Sequence, residues 1–204
     1  MVLTNGNLQL KSNGARLRIC QGWKQHEFVA HLWRVFMNLC WISHPQPIYT
    51  LIETGKILPG RKKEIVRGPL IDRYWFNSFS MPILLTFYTA LYTTKGVKRY
   101  LSGMVDLYLT ELGFTYMVIA EGHLEANCLF IGTHCFSKEE NQILVNELNA
   151  KFGLNGVLNK NRKEVRRRMK EHYFIRFPAR DRGRLYSMIV PHILPIFQHK
   201  LPRV

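Results

Sequence analysis

The chain has 204 residues, 47% of them hydrophobic and 12% aromatic, which excludes a disordered polymer and is enough for one large domain or two smaller ones. Its formal net charge is +15, from 29 Lys and Arg against 14 Asp and Glu; the usual partners of such a field are phosphates, in nucleic acid first and in anionic membranes second. No membrane partner is expected: the most apolar run, Met81 to Tyr92, is too short for a bilayer, and Met1 to Cys20 lacks the apolar core of a secretory signal. Cys20, Cys40, Cys128 and Cys135 have no C-x-x-C spacing and are expected to be buried free thiols in a reducing compartment.

In chain order, Ala15–Cys20 alternates small or apolar with polar residues, as a half-buried strand does. Phe28, Leu32, Trp33, Phe36 and Cys40 recur at helical spacing over 27–41. The segment 42–70 is broken by Pro45, Pro47, Gly55, Pro59, Gly60 and Gly68 and reads as loops around a short strand near Tyr49–Glu53. Arg73–Asn77 reads as a strand, and Ser80 and Pro82 open a helix to Tyr92 with Leu84, Leu85, Tyr88 and Leu91 on its buried side. Thr110 caps a helix running to Ala120, with Gly122 as its stop. A strand follows at Asn127–Ile131, then Ser137 and Glu140 form a capping-box pattern for a helix ending near Phe152–Gly153. Tyr173–Phe177 is a strand, and a last helix from Arg182 is interrupted at Pro191 and Pro195. The first strand–helix pair returns after about 111 residues and the later pairs after about 101, a long-period duplication that points to a pseudo-two-fold α+β protein rather than a solenoid.

The charge is unevenly placed. Residues 160–204 carry 13 Lys and Arg against 3 acids, whereas 101–150 carry only Lys138 against 7 acids, so the field belongs to particular surfaces. The run Lys160, Arg162, Lys163, Arg166, Arg167, Arg168 and Lys170 reads as a backbone-binding loop or hairpin tip, and Arg176 and Arg180 extend it. Arg16, Arg18, Arg61, Lys62 and Lys63 are the matching candidates in the first half. Tyr74, Trp75 and Phe76 lie at strand spacing and fit a core better than a base-stacking platform; His123, His134 and His192 have no ligand-like spacing.

The most informative segment is Phe114-Thr115-Tyr116-Met117-Val118-Ile119-Ala120-Glu121-Gly122, an apolar helix delivering one carboxylate at its C-terminal end. A carboxylate is disfavoured at that negative end, and a bound cation reverses the penalty; an exposed Glu at a helix stop is the simpler alternative. After it come Leu129–Ser137 with Thr133-x-x-Phe136-Ser137, a helix ending Phe152-x-Leu154, the basic run, Pro191-x-x-x-Pro195 and Lys200-Leu201. Upstream lie Gly6-Asn7-Leu8 through Gln21, and Lys95 to Lys98 before Leu109-Thr110. In that order the chain resembles the LAGLIDADG homing endonuclease family, in its monomeric two-repeat branch.

The resemblance implies a pair of αββαββα-like repeats, 1–109 and 110–204, whose two curved antiparallel sheets form a nucleic-acid-binding saddle. It implies two motif helices, each ending in an acid that holds a divalent ion, Mg²⁺ or a similar one, against a scissile phosphate of duplex DNA. Residue by residue, the second acid falls on Glu121, where the family favours Asp, so its carboxylate reaches about 1.5 Å further, one C–C bond. The first falls on Asn5, a neutral amide that ligates metal weakly. The basic positions of the catalytic centre fall on Lys98 and Lys200, and Ile119 is apolar where many members carry another acid. Met1 falls inside the first motif helix, so the apolar face of 112–119 is expected to be covered by upstream residues, by a protein or RNA partner, or by repacking. Two functions stay open: a metal-dependent, site-specific DNA endonuclease, or a non-cleaving RNA-binding descendant such as an intron maturase or a ribonucleoprotein component. The resemblance also implies an organelle-encoded product, in a mitochondrion or a chloroplast.

Overall fold

A computed structural model describes residues 6–51, 69–165 and 168–202. The fold is α+β, with two compact units: residues 6–84, and a second that takes in the described chain from Leu85 onward. Asn5, Arg61, Lys62, Lys63, Arg166 and Arg167 lie outside the described residues.

The first unit is a four-stranded antiparallel sheet backed by one helix. Its strands are β1 (Gly6–Lys11), β2 (Gly14–Gly22), β3 (Gln46–Leu51) and β4 (Pro69–Asn77), in the order β1-β2-β4-β3. The register sets Leu8 opposite Leu17 and Ile19 opposite Phe76, so all four point to one face, and Phe28, Val29 and Leu32 of α1 (His26–Phe36) are buried with them. Gly14, at the turn into β2, has φ +143°, and a Cβ there would stand 2.7 Å from the carbonyl of Met81. Only glycine allows the close approach in which Ala15 and Met81 exchange backbone hydrogen bonds of 3.3 and 2.9 Å. The Met81–Tyr92 helix is found as α2 (Pro82–Leu91), with Leu91 buried and Leu84 and Tyr88 half-buried. Leu85, expected on the buried side, is instead 38% exposed, because the helix carries apolar residues on more of its circumference than its neighbours cover.

The second unit repeats the plan with more helix. Its sheet is β5 (Gly122–Glu125), β6 (Cys128–Gly132), β7 (Val157–Val165) and β8 (Arg168–Phe177), ordered β5-β6-β8-β7 like the first. Leu129 opposite Phe177 and Ile131 opposite Ile175 face the helices α4 (Glu111–Glu121) and α5 (Lys138–Phe152). Both predicted caps are present: the Thr110 hydroxyl accepts from Gly113 N–H at 3.1 Å, and Ser137 and Glu140 form a reciprocal capping box. The face over 112–119, for which upstream residues, a protein or RNA partner, or repacking were the expected covers, is buried without any partner molecule. Thr115 and Met117–Ala120 are buried, α4 packs against β5, β6 and α6 (Arg182–Ile189), and only Leu112 remains exposed. The four cysteines are free as expected, but half-buried or, at Cys135, exposed.

The segment leading into α3 (Met104–Tyr108) is held by one carboxylate. Glu147 on α5 accepts from Tyr100 Oη (2.5 Å), Ser102 Oγ (2.9 Å), Gly103 N–H (2.6 Å) and Val105 N–H (3.2 Å), at the start of α3. Burial raises its pKa, but these four donors outweigh it and hold the carboxyl below its ordinary value. Glu147→Gln should therefore cost about 2 kcal/mol at neutral pH. Because the folded pKa is the depressed one, the difference from wild type should shrink as pH falls below about 4.3, which urea unfolding at pH 7 and pH 3.5 would show.

Candidate nucleic-acid interface and catalytic centre

Glu121 ends α4 at a tight exit. Gly122 N–H donates to the Val118 carbonyl, and a Cβ at Gly122 would lie 2.5 Å from that oxygen, so only glycine lets the chain turn straight from helix into β5. The half-buried Glu121 carboxylate then faces Gly132 on β6, where a Cβ would come 3.4 Å from Glu121 Oε2 and 3.5 Å from His134 Nδ1. The missing side chain keeps space open beside the carboxylate.

Two lysines share this centre. Lys98 follows a turn closed by Thr93 N–H to the Val97 carbonyl (2.8 Å), and Lys200 ends a short 3-10 turn, Pro195–Lys200. Burial lowers the pKa of both ammonium groups; Glu121 pulls each back up, joined by Cys135 at Lys98. Lys200 Nζ also donates to the carbonyls of Val118 (3.3 Å) and Ile119 (2.5 Å). It thus binds the negative end of α4 and compensates the carboxylate placed there. Sequence reading placed Lys200 beside the acid but missed this capping, which joins residues 81 and 82 positions apart.

A groove of about 540 Å³ on the open face of the second sheet runs from Glu121 past His123, Phe130, His134, His172 and Phe174. The rings of His134 and His172 are 6.0 Å apart, and His123 stacks on Phe130 at 5.1 Å and 14°. Three histidines without any sequence motif are brought together, His123 and His172 by strand pairing and His134 by the turn that follows β6. Among the described residues, no three His, Cys, Asp or Glu side chains form a set able to hold a metal ion. A magnesium-like ion needs only one or two protein carboxylates when phosphate oxygens and water complete its shell, and Glu121 fits that requirement.

The basic candidates sort by position. The described part of the 160–170 run lies on the paired strands β7 and β8, with Lys163 opposite Lys170, Val165 opposite Arg168, and Arg162 opposite Glu171. Its sequence was legible as a basic loop or hairpin tip but not as long strands, because the run lacks apolar alternation. Lys160 is exposed on β7, and Arg180 is exposed on the turn after β8, off the sheet. Arg176 sits on β8 opposite Phe130 of β6. In the first unit, Arg16 Nε donates to Gln9 Oε1 at 2.9 Å, and the Arg18 guanidinium lies 5.6 Å from the Trp75 ring centre. Phe76 is core as expected, whereas Trp75 turns to the open face and, with Lys11, Arg16 and Trp41, lines a concavity of about 290 Å³. Both sheets therefore bury an apolar face and leave one of mixed aromatic, polar and charged side chains open.

Residues 1–177 match the LAGLIDADG DNA endonuclease family. The chain belongs to that family. A probable intron-encoded DNA endonuclease 3 of Mycosarcoma maydis is 33% identical over 138 residues, 65% of this chain and 96% of that protein. A probable intron-encoded endonuclease 1 of Wickerhamomyces canadensis is 28% identical over 186 residues, 88% of this chain and 71% of that one. The solved structure of the homing endonuclease I-WcaI bound to its DNA recognition sequence superposes with a TM-score of 0.74 at 23% identity, over 98% of this chain and 81% of that chain. At that identity the superposition establishes the LAGLIDADG fold, and the matching strand order of the two sheets is its internal signature.

Proposed function

We propose that this LAGLIDADG chain is a site-specific duplex-DNA endonuclease, encoded within an intron as the names of its relatives say of them, and carried by an organellar genome. The observation that carries the reading is the Glu121 carboxylate set against Lys98 and Lys200 at the head of an open, aromatic sheet groove. The open sheet faces supply cations, aromatic rings and hydrogen-bonding side chains for a duplex.

Glu121, and by family correspondence Asn5, would hold the divalent ion, which when bound supplies Lewis-acid stabilisation of a phosphate and an activated water. Lys98 places a partly desolvated positive charge beside that phosphate, where it opposes the negative charge that grows as water attacks. Lys200 holds the end of α4 and so fixes where the Glu121 carboxylate stands. Gly132 leaves room for a phosphate at that carboxylate.

The test is selection from a randomised duplex library, followed by incubation of a supercoiled plasmid carrying the selected site with Mg²⁺. The expected products are nicked and linear plasmid that vanish with chelator. A selected duplex that is bound but never nicked would refute the cleavage reading, and tighter binding to structured RNA than to the selected duplex would refute the DNA reading.

A further inference from the structure

Arg176 has the surroundings of a base reader. It occupies a row that crosses the second sheet, His123 on β5, Phe130 on β6, Arg176 on β8 and Val157 on β7, each opposite the next. Phe174, two residues earlier on the same face, lies 5.7 Å ring to ring from Phe130. The arginine stem is thus confined among apolar groups. Its Nε is buried and has no hydrogen-bond acceptor among the described residues. The enclosed Nε fixes the guanidinium in place, so an acceptor from outside can reach only its outer amines, which the half-buried residue keeps accessible.

Phosphates are served elsewhere, by exposed cations such as Lys160 and Arg180 that can follow a backbone. A confined fork in the middle of an open sheet face meets base edges instead. Guanine alone presents two acceptors there, O6 and N7, at the spacing of a guanidinium fork. We infer that Arg176 determines specificity by reading one guanine in the major groove, an assignment that rests on the duplex-DNA reading above. Arg176 is two residues along β8 from Phe174, which pairs with Gly132 beside Glu121. That separation is about 7 Å, or roughly two base-pair steps, so the guanine lies within about four base pairs of the phosphate at Glu121.

The experiment is duplex selection with the full-length wild type, Arg176→Ala and Arg176→Lys. Wild type should select guanine at one position near the cut. Both variants should lose that preference while keeping every other selected position, which also shows that they are folded. Affinity for the wild-type site should fall about 10- to 100-fold, and a site changed only at that base pair should bind all three proteins alike. Uniform weakening across all sequences, a salt slope reduced by about one and full retention by Arg176→Lys would make Arg176 a phosphate contact and overturn the inference. Unchanged selection by both variants would overturn it too. A wild type that selects no duplex sequence removes the DNA reading and this inference with it, whereas normal wild-type selection with unaltered variants removes the role of Arg176 alone.

Discussion

Glu121→Gln is expected to lower the rate of plasmid cleavage by about 10³-fold or more while leaving duplex affinity at or slightly above wild type. The substitution keeps size and hydrogen-bonding atoms and removes only charge. In the proposed mechanism cleavage depends on that charge, which would hold the divalent ion and which offsets Lys98 and Lys200, whose ammonium groups are already disfavoured by burial. Binding depends on the open sheet faces, and removing a negative charge from a surface that meets a polyanion does not weaken it. Single-turnover cleavage and a gel-shift titration on the same site separate the two. A variant that cuts at the wild-type rate would show that Glu121 is not the catalytic acid; lost binding would mean that the residue serves the interface instead.

Phe114→Ala is expected to cost about 3–5 kcal/mol and lower the melting temperature by roughly 10 °C or more. Phe114 is 0% exposed and its ring stands 5.5 Å from Phe152 and 5.9 Å from Phe177, so it joins α4 to both α5 and β8. Truncation leaves a cavity where three elements meet, and the backbone can close it only by moving the helix that carries Glu121. Cleavage should accordingly fall even at temperatures where the variant is folded. Leu107→Ala is the control: Leu107 is 72% exposed, and its loss should change stability by no more than about 0.5 kcal/mol. A Phe114→Ala protein that melts within a degree or two of wild type would show that this core relaxes without penalty.

What could be read along the chain was local. Thr110 and the Ser137/Glu140 pair were identifiable because a cap is a hydrogen bond spanning three residues, complete within the sequence that encodes it. The half-buried strand β2 was legible through its alternation, and β6 as a short apolar run. Of the strands that escaped notice, Gly122–Glu125 is short and Val157–Val165 is mostly polar, whereas Gly6–Lys11 does alternate, but with Leu8 and Leu10 as its apolar side chains. Backbone pairing with β2, β6 and β8 makes them strands, and side-chain pattern records that weakly. Helix α3 is five residues held at its start by Glu147, over forty positions away, which no local propensity expresses.

Composition, charge and the ordered motif fragments by themselves determined that this is a basic α+β protein of the LAGLIDADG family and pointed to Glu121, Lys98 and Lys200. These are matters of residue type and order, which a sequence states outright. Only the tertiary structure decided how those groups are placed. It turned Lys200 into the cap of the helix that presents Glu121, collected His123, His134 and His172 into one groove, covered the face of α4 that sequence reading left open, and left the Arg176 Nε buried without an acceptor. The physical reason is common to all four. Desolvation, capping by a distant cation and the satisfaction of a buried donor depend on which atoms are within a few ångströms, and in an antiparallel sheet those neighbours come from strands tens of residues apart.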